Sequence, residues 1–202
     1  MSTATNVEAT AVNTIEWLAA GSTTIVVPVY QRQYRWDIGG CERLLSDIRS
    51  VADADESHRH FIGSILSAQD GATDDDLILI DGQQRITTLT LLIAALHHSV
   101  RGTDPQLAAE LERVLVRADD PSRTKLRPHD AWAGLYESVV LDRRDDADRE
   151  SRFDDNYAFF RSQVHADEVA RIWRGLQRLE HVSITLGAQA NAQQIFESLN
   201  ST

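Results

Sequence analysis

The sequence predicts an α/β (α+β) protein, and three observations carry that prediction. Short Ile/Val/Leu runs bounded by polar residues or glycine recur, as strands do. Apolar residues elsewhere recur at helical spacing. One strand runs straight through Asp81-Gly82 into a helix. The runs Thr24–Val27, Phe61–Ser67, Leu77–Ile80 and Val182–Leu186 read as strands. Between the first two, Leu44, Leu45, Ile48 and Val51 mark one face of a helix over Cys41–Ala52. After the third strand, Gln83–His98 carries Ile86, Leu89, Leu92, Ile93 and Leu96 on one face. Leu91, Ala94 and Ala95 fill the other, so this helix should be largely buried.

From about Asp104 to Glu180 the pattern is helical throughout. Four segments stand out: Pro105–Arg117, His129–Leu141, Ser151–His165 and Asp167–Leu179. They predict a helical insertion over 104–180, an appendage between the third and fourth strands. The core is then 15–103 plus 181–202, ending in a helix over Ala190–Leu199. Residues 1–14 lack both a basic start and an apolar run. They read as a disordered lead-in.

A chain of 202 residues suffices for one core with such an insertion. No apolar run approaches the roughly 18 residues of a membrane span, so no membrane partner is expected. With Cys41 as the single cysteine, no disulfide forms within the chain, nor any multi-cysteine zinc cluster. These features predict a cytoplasmic protein. Twenty basic residues against 31 acidic ones give a net charge of −11, which repels DNA at long range. Contact with DNA must therefore come from local basic spots. The acidic stretches Asp53–Glu56, Asp70–Asp76 and Asp142–Glu150 read as solvated loops.

The chemistry concentrates in LILIDGQQRITTLTLL. A strand that turns directly into a helix presents unpaired N–H groups, which favour anions. Gly82 permits the tight turn, and Arg85 offers a planar fork for phosphate oxygens. Thr87 and Thr88 add hydroxyls in the first turns. Gln83 and Gln84 can hold a sugar, a base edge or an attacking water, and Asp81 can orient that water or hold Mg²⁺. The same residues also suit a plain capped turn, with Asp81 as cap and Arg85 in a surface ion pair. The segment is not a Walker loop, because the GKS/GKT ending is absent.

A second segment, VPVYQRQYRW (Val27–Trp36), interleaves aromatics with Arg, which suits stacking and phosphate contact. Alternatively, Tyr34 and Trp36 face the core. A third, NAQQIFESLNST, carries a helical apolar face of Ile195, Phe196 and Leu199.

Together and in this order, VPVYQRQYRW, HFIGSI (His60–Ile65), IDGQQRITTLTLL (Ile80–Leu92) and IFESLN (Ile195–Asn200) resemble the DGQQR-motif family of the GmrSD type. KLRP at Lys125 and NYAFF at Asn156 also look familial. The resemblance implies a ParB/sulfiredoxin-like small-sheet core with a helical insertion. It implies nucleoside triphosphate hydrolysis, of GTP or UTP with Mg²⁺, through Asp81, Gln83, Gln84 and Arg85. In this reading Gly82, Arg85, Thr87 and Thr88 bind the nucleotide and Asp81 holds the metal.

The resemblance further implies sensing of modified double-stranded DNA in anti-phage defence. Tyr30, Gln31, Arg32 and Arg35 are the expected sensing residues. The expected modification is the phosphorothioate of the SspE branch, with glucosylated hydroxymethylcytosine as the alternative. A non-hydrolysing reader module is one rival reading, and a structural interaction domain is a second. In the family an HNH nuclease domain usually follows. No HNH pattern appears in these residues, so the cutting activity is expected to lie outside them. Sulfiredoxin chemistry needs a cysteine where this chain has glutamines.

Overall fold

The computed structural model describes residues 7–21, 23–28, 33–70, 76–143, 151–187 and 191–201. Strand β1 is Val7–Asn13, β2 Thr24–Val26, β3 His60–Gln69, β4 Asp76–Asp81, β5 Leu126–Arg127 and β6 Leu179–Leu186. They form one mixed sheet in the order β1-β6-β3-β4-β2-β5. β3 runs parallel to β6 and antiparallel to β4, and β2 runs parallel to both β4 and β5. The α/β expectation holds.

The helices are α1 (Thr14–Ala19), α2 (Ile38–Asp53), α3 (Gln83–Val100), α4 (Pro105–Leu115), α5 (Asp130–Val140), α6 (Arg152–Gln163), α7 (Val169–Leu176) and α8 (Ala192–Asn200). Among the described residues no helix is long and apolar enough to cross a membrane. α3 is the central post. Ile86, Leu89, Leu91, Leu92, Ile93 and Leu96 are all fully buried, as its two-sided apolar pattern predicts. Each contributes about 1.5–3 kcal/mol by leaving water. The opposite face of the sheet carries a smaller cluster, Ala68, Ile80 and Leu186, covered by Ala192, Ile195 and Phe196 at the start of α8.

Two expectations need correction, and one feature is new. The lead-in is ordered from Val7 onward, where β1 pairs antiparallel with β6 along its whole length. Its backbone bonds come from a partner strand whose paired residues, Glu180–Leu186, lie at the other end of the chain, and its mostly exposed side chains leave little apolar signal. The helical insertion is no appendage. Tyr136, Phe153, Phe160 and Ile172 share one core with α3, and β5 adds a strand to the sheet edge. Lys125, the only lysine, is buried. Its ammonium donates to the carbonyls of Leu18 (3.1 Å) and Ala20 (3.3 Å). It thereby satisfies the C-terminal end of α1, whose orphan carbonyls need donors.

Candidate functional site

β4 ends at Asp81, and Gly82, the N-cap of α3, has φ 95°, a left-handed conformation that favours glycine. A side chain there would also strike Ile65 of β3, since a Cβ would lie 2.4 Å from its Cδ1. Gly82 thus sets the close approach of α3 to the sheet. Asp81 is exposed and accepts the Gly82 N–H at 3.0 Å. It does not cap the helix, and no other side chain among the described residues does. The first N–H groups of α3 are therefore left for water or an anion.

The first two motifs are physically tied. Gln84 accepts the Arg35 N–H at 2.8 Å and donates to the Gln33 carbonyl at 3.2 Å. Its amide is thus spent on holding the 33–35 backbone, a role that composition cannot distinguish from catalysis. Tyr34 turns into the core, 8% exposed. Its hydroxyl lies 2.7 Å from the Thr88 hydroxyl and accepts the Asn156 amide at 2.7 Å. Asn156 also donates to the Trp36 carbonyl at 2.9 Å. Phe153 stacks on Tyr34 at 5.2 Å. Burial pushes the Tyr34 phenol well above its usual range, so it stays neutral. One network thus joins the Tyr34 segment, the DGQQR helix and the NYAFF segment. Asn156 is marked in the sequence only by the familial look of NYAFF; its place as the knot depends on partners 120 or more positions away.

Around this network lies a groove with three connected parts, all bordered by Gln33. The first is a pocket of about 470 Å³ between Arg35, Trp36, Asp81, Gln83, Phe196 and Asn200. The second is a narrow aromatic slot lined by Tyr34, Gln83, His129, Trp132 and Phe153. The third is an open polar hollow with Arg35, Arg152 and Asp155. Gln83 faces both the pocket and the slot and makes no side-chain hydrogen bond among the described residues, which leaves its amide to read a ligand. The closing IFESLN segment forms a wall of the pocket through Phe196, Leu199 and Asn200.

The structure therefore brings together Asp81, Gly82, Gln83, Gln84 and Arg35. It does not bring in Thr88 as a phosphate ligand, and that expectation is corrected. Thr88 is fully buried, and its hydroxyl bonds the Gln84 carbonyl at 2.7 Å as well as Tyr34. Thr87 borders the aromatic slot, but its hydroxyl donates back to the Gln83 carbonyl at 2.7 Å. Such i−4 back-bonding is the usual fate of a helical Thr. Arg85 leaves the groove for the other flank of α3, where its guanidinium lies over Gly63 of β3. Tyr30, Gln31 and Arg32 lie outside the described residues.

Cys41 sits in the core. Burial first, and the nearby Asp37 charge second, push its thiol up to about 12. It is no nucleophile at neutral pH.

Residues 15–202 match the family described as the N-terminal domain of the GmrSD restriction endonuclease. No curated protein matches the chain.

Proposed function

The chain belongs to the family of GmrSD restriction endonuclease N-terminal domains, and from that premise we propose that the groove binds and hydrolyses a nucleoside triphosphate, GTP or UTP. The observation that supports this is the junction itself. Among the described residues, a helix N-terminus without a side-chain cap, an exposed carboxylate, an amide without a partner and an arginine without an ion pair border one pocket. The phosphates would lie against the first turn of α3, with Arg35 from the facing segment and Arg85 from the far flank. The aromatic slot beside Gln83 suits the base, whose flat face can stack on Trp132.

Mg²⁺ fits this donor set on chemical grounds. Asp81 uses one carboxylate oxygen on Gly82 and keeps the other for a cation. Among the described residues no group of three or more His, Cys, Asp or Glu could hold a metal. A cation here would thus have one protein ligand and take the rest from phosphates and water, as Mg²⁺ commonly does. When bound it would neutralise charge on the phosphates. Gln83 is placed to orient water, while Gln84 keeps the facing segment in register.

The restriction reading adds modified DNA as partner, with phosphorothioated backbone as the proposed modification and Arg35 as a backbone-holding cation on the groove rim. A nuclease domain of the HNH type is the proposed effector. The rival is a reader that binds modified DNA without hydrolysis. The commitment of Gln84, Thr87 and Thr88 to internal hydrogen bonds favours it, because fewer groups remain for catalysis. Release of inorganic phosphate from GTP or UTP by the purified chain with Mg²⁺ decides between them. A reader gives none, yet binds modified duplex more tightly than unmodified duplex of the same sequence.

A further inference from the structure

On the far flank of α3's first turn, two polar groups lack partners among the described residues. Arg85 is half-buried and makes no hydrogen bond or ion pair among the described residues. His181 of β6 is fully buried, and its Nε2 has no partner. Such a buried, unmet ring nitrogen is uncommon and calls for an explanation. The two are neighbours because β3 bulges. Phe61 pairs with Glu180 and Ser64 with Val182, so Ile62 and Gly63 together face His181. Gly63 adopts φ 104°, and a Cβ there would lie 2.9 Å from an Arg85 guanidinium nitrogen. The missing side chain is the room that the guanidinium occupies beside the imidazole.

The ring is held from its other sides. Nδ1 lies 2.9 Å from the Thr14 hydroxyl, and Trp17 packs edge-on at 5.0 Å. With the hydroxyl donating to Nδ1, the proton of the neutral ring sits on Nε2. That gives an N–H held in place near the Arg85 guanidinium, two donors without an acceptor among the described residues.

We propose that Arg85 and His181 form a phosphate subsite, with the guanidinium and the Nε2–H as joint donors to one phosphate group. This extends the nucleotide reading, since Arg85 belongs to the same first turn. The phosphate can come from the nucleotide's tail or from a DNA backbone. His181 is a binding residue in either case. In the sequence it is a lone histidine, and only its place in strand parity, in phase with Leu179, marks it as inward-facing.

The test observes the histidine side-chain ¹⁵N–¹H resonances of the whole chain. Inorganic phosphate, GTP or UTP with Mg²⁺, and a DNA duplex are titrated in turn, with His181→Asn identifying the signal. Asn reproduces Nδ1 toward Thr14 but not the donor toward Arg85; Gln reproduces the donor at the Nε2 position. Nucleotide is expected to shift the His181 signal. Affinity should fall about tenfold in His181→Asn, the loss of one charge-assisted bond, and His181→Gln should recover most of it. A shift caused by duplex alone, without nucleotide binding, supports the subsite but assigns the phosphate to DNA and sinks the nucleotide reading. Nucleotide binding that leaves the His181 signal unmoved overturns the subsite and spares that reading. A signal that no phosphate source moves overturns the subsite as well. If His181→Asn fails to fold, the wild-type titration still decides.

Discussion

The two flanks of α3's first turn use the same kinds of residue to opposite ends. On the groove flank Gln84, Thr88, Tyr34 and the Asn156 amide nitrogen bond one another or nearby backbone, and the result is a fixed wall. On the other flank, among the described residues, Arg85 and the His181 Nε2 have no hydrogen-bond partner. Polar groups that satisfy each other hold a fold together. Groups left open at a helix N-terminus retain their capacity for a ligand. The same difference separates Gln84 from Gln83. These adjacent and chemically identical amides are divided by what stands opposite them: one clamps the 33–35 backbone, and the other faces open space between pocket and slot.

If the groove flank is structural, its substitutions should cost stability first. Tyr34→Ala removes a buried ring and both hydrogen bonds of its hydroxyl. It should destabilise by about 3–5 kcal/mol, the range for large buried aromatics, read as a lower urea midpoint. An unchanged midpoint would break the contrast at its strongest point.

Acid gives the next effect and sets the far flank against the C-terminal end of α3. His98 sits against Val140 and Tyr157, at 2.9 Å and 2.6 Å. Burial holds His98 down to about 4, as it does His181, where the Arg85 charge adds to the effect. The unfolded chain takes up these protons near pH 6.5 and the folded chain only near 4. Their stabilisation is therefore complete above pH 6.5 and lost as pH falls toward 4, by about 3 kcal/mol each at full development. Urea midpoints measured from pH 7.5 down to 5 should already decline. His98→Phe should flatten that decline, and an unaltered slope would remove His98 from the account.

Gln84→Ala should cost about 1 kcal/mol, because the Gln33 and Arg35 backbone groups it releases can partly bond water. It should also lower any nucleotide turnover, by loosening the 33–35 segment. Turnover that survives intact would show that the clamp does not serve the pocket. Arg85→Ala should change stability least, within about 0.5 kcal/mol, yet weaken phosphate binding at least tenfold. A large loss of stability instead would make Arg85 part of the scaffold and erase the difference between the flanks.

The elements with strong apolar periodicity, α2, α3 and the inner strands, were legible in the sequence. β1 was not, because an exposed Thr/Ala edge strand is defined by its partner β6 rather than by its own pattern. β5, at two residues, and α1, at six, are too short to show a period. The meeting of Tyr34, Thr88 and Asn156 across more than 120 positions leaves no local trace. The motif residues were legible as a set, but their division of labour was not. Helix phase sends Arg85 away from Gln83, and only the packed sheet shows that Gly63 and His181 wait there.

Asp81 offers the most direct test of the nucleotide reading. Asp81→Asn keeps an acceptor for the Gly82 N–H, so the turn and the fold should persist, with an unchanged urea midpoint. It removes the one carboxylate that faces the pocket from the end of β4. Phosphate release from GTP or UTP in Mg²⁺ should be measurable for the wild type and at least tenfold slower for the variant. Equal turnover by the two proteins, or none by the folded wild type with any nucleoside triphosphate, would contradict the assignment.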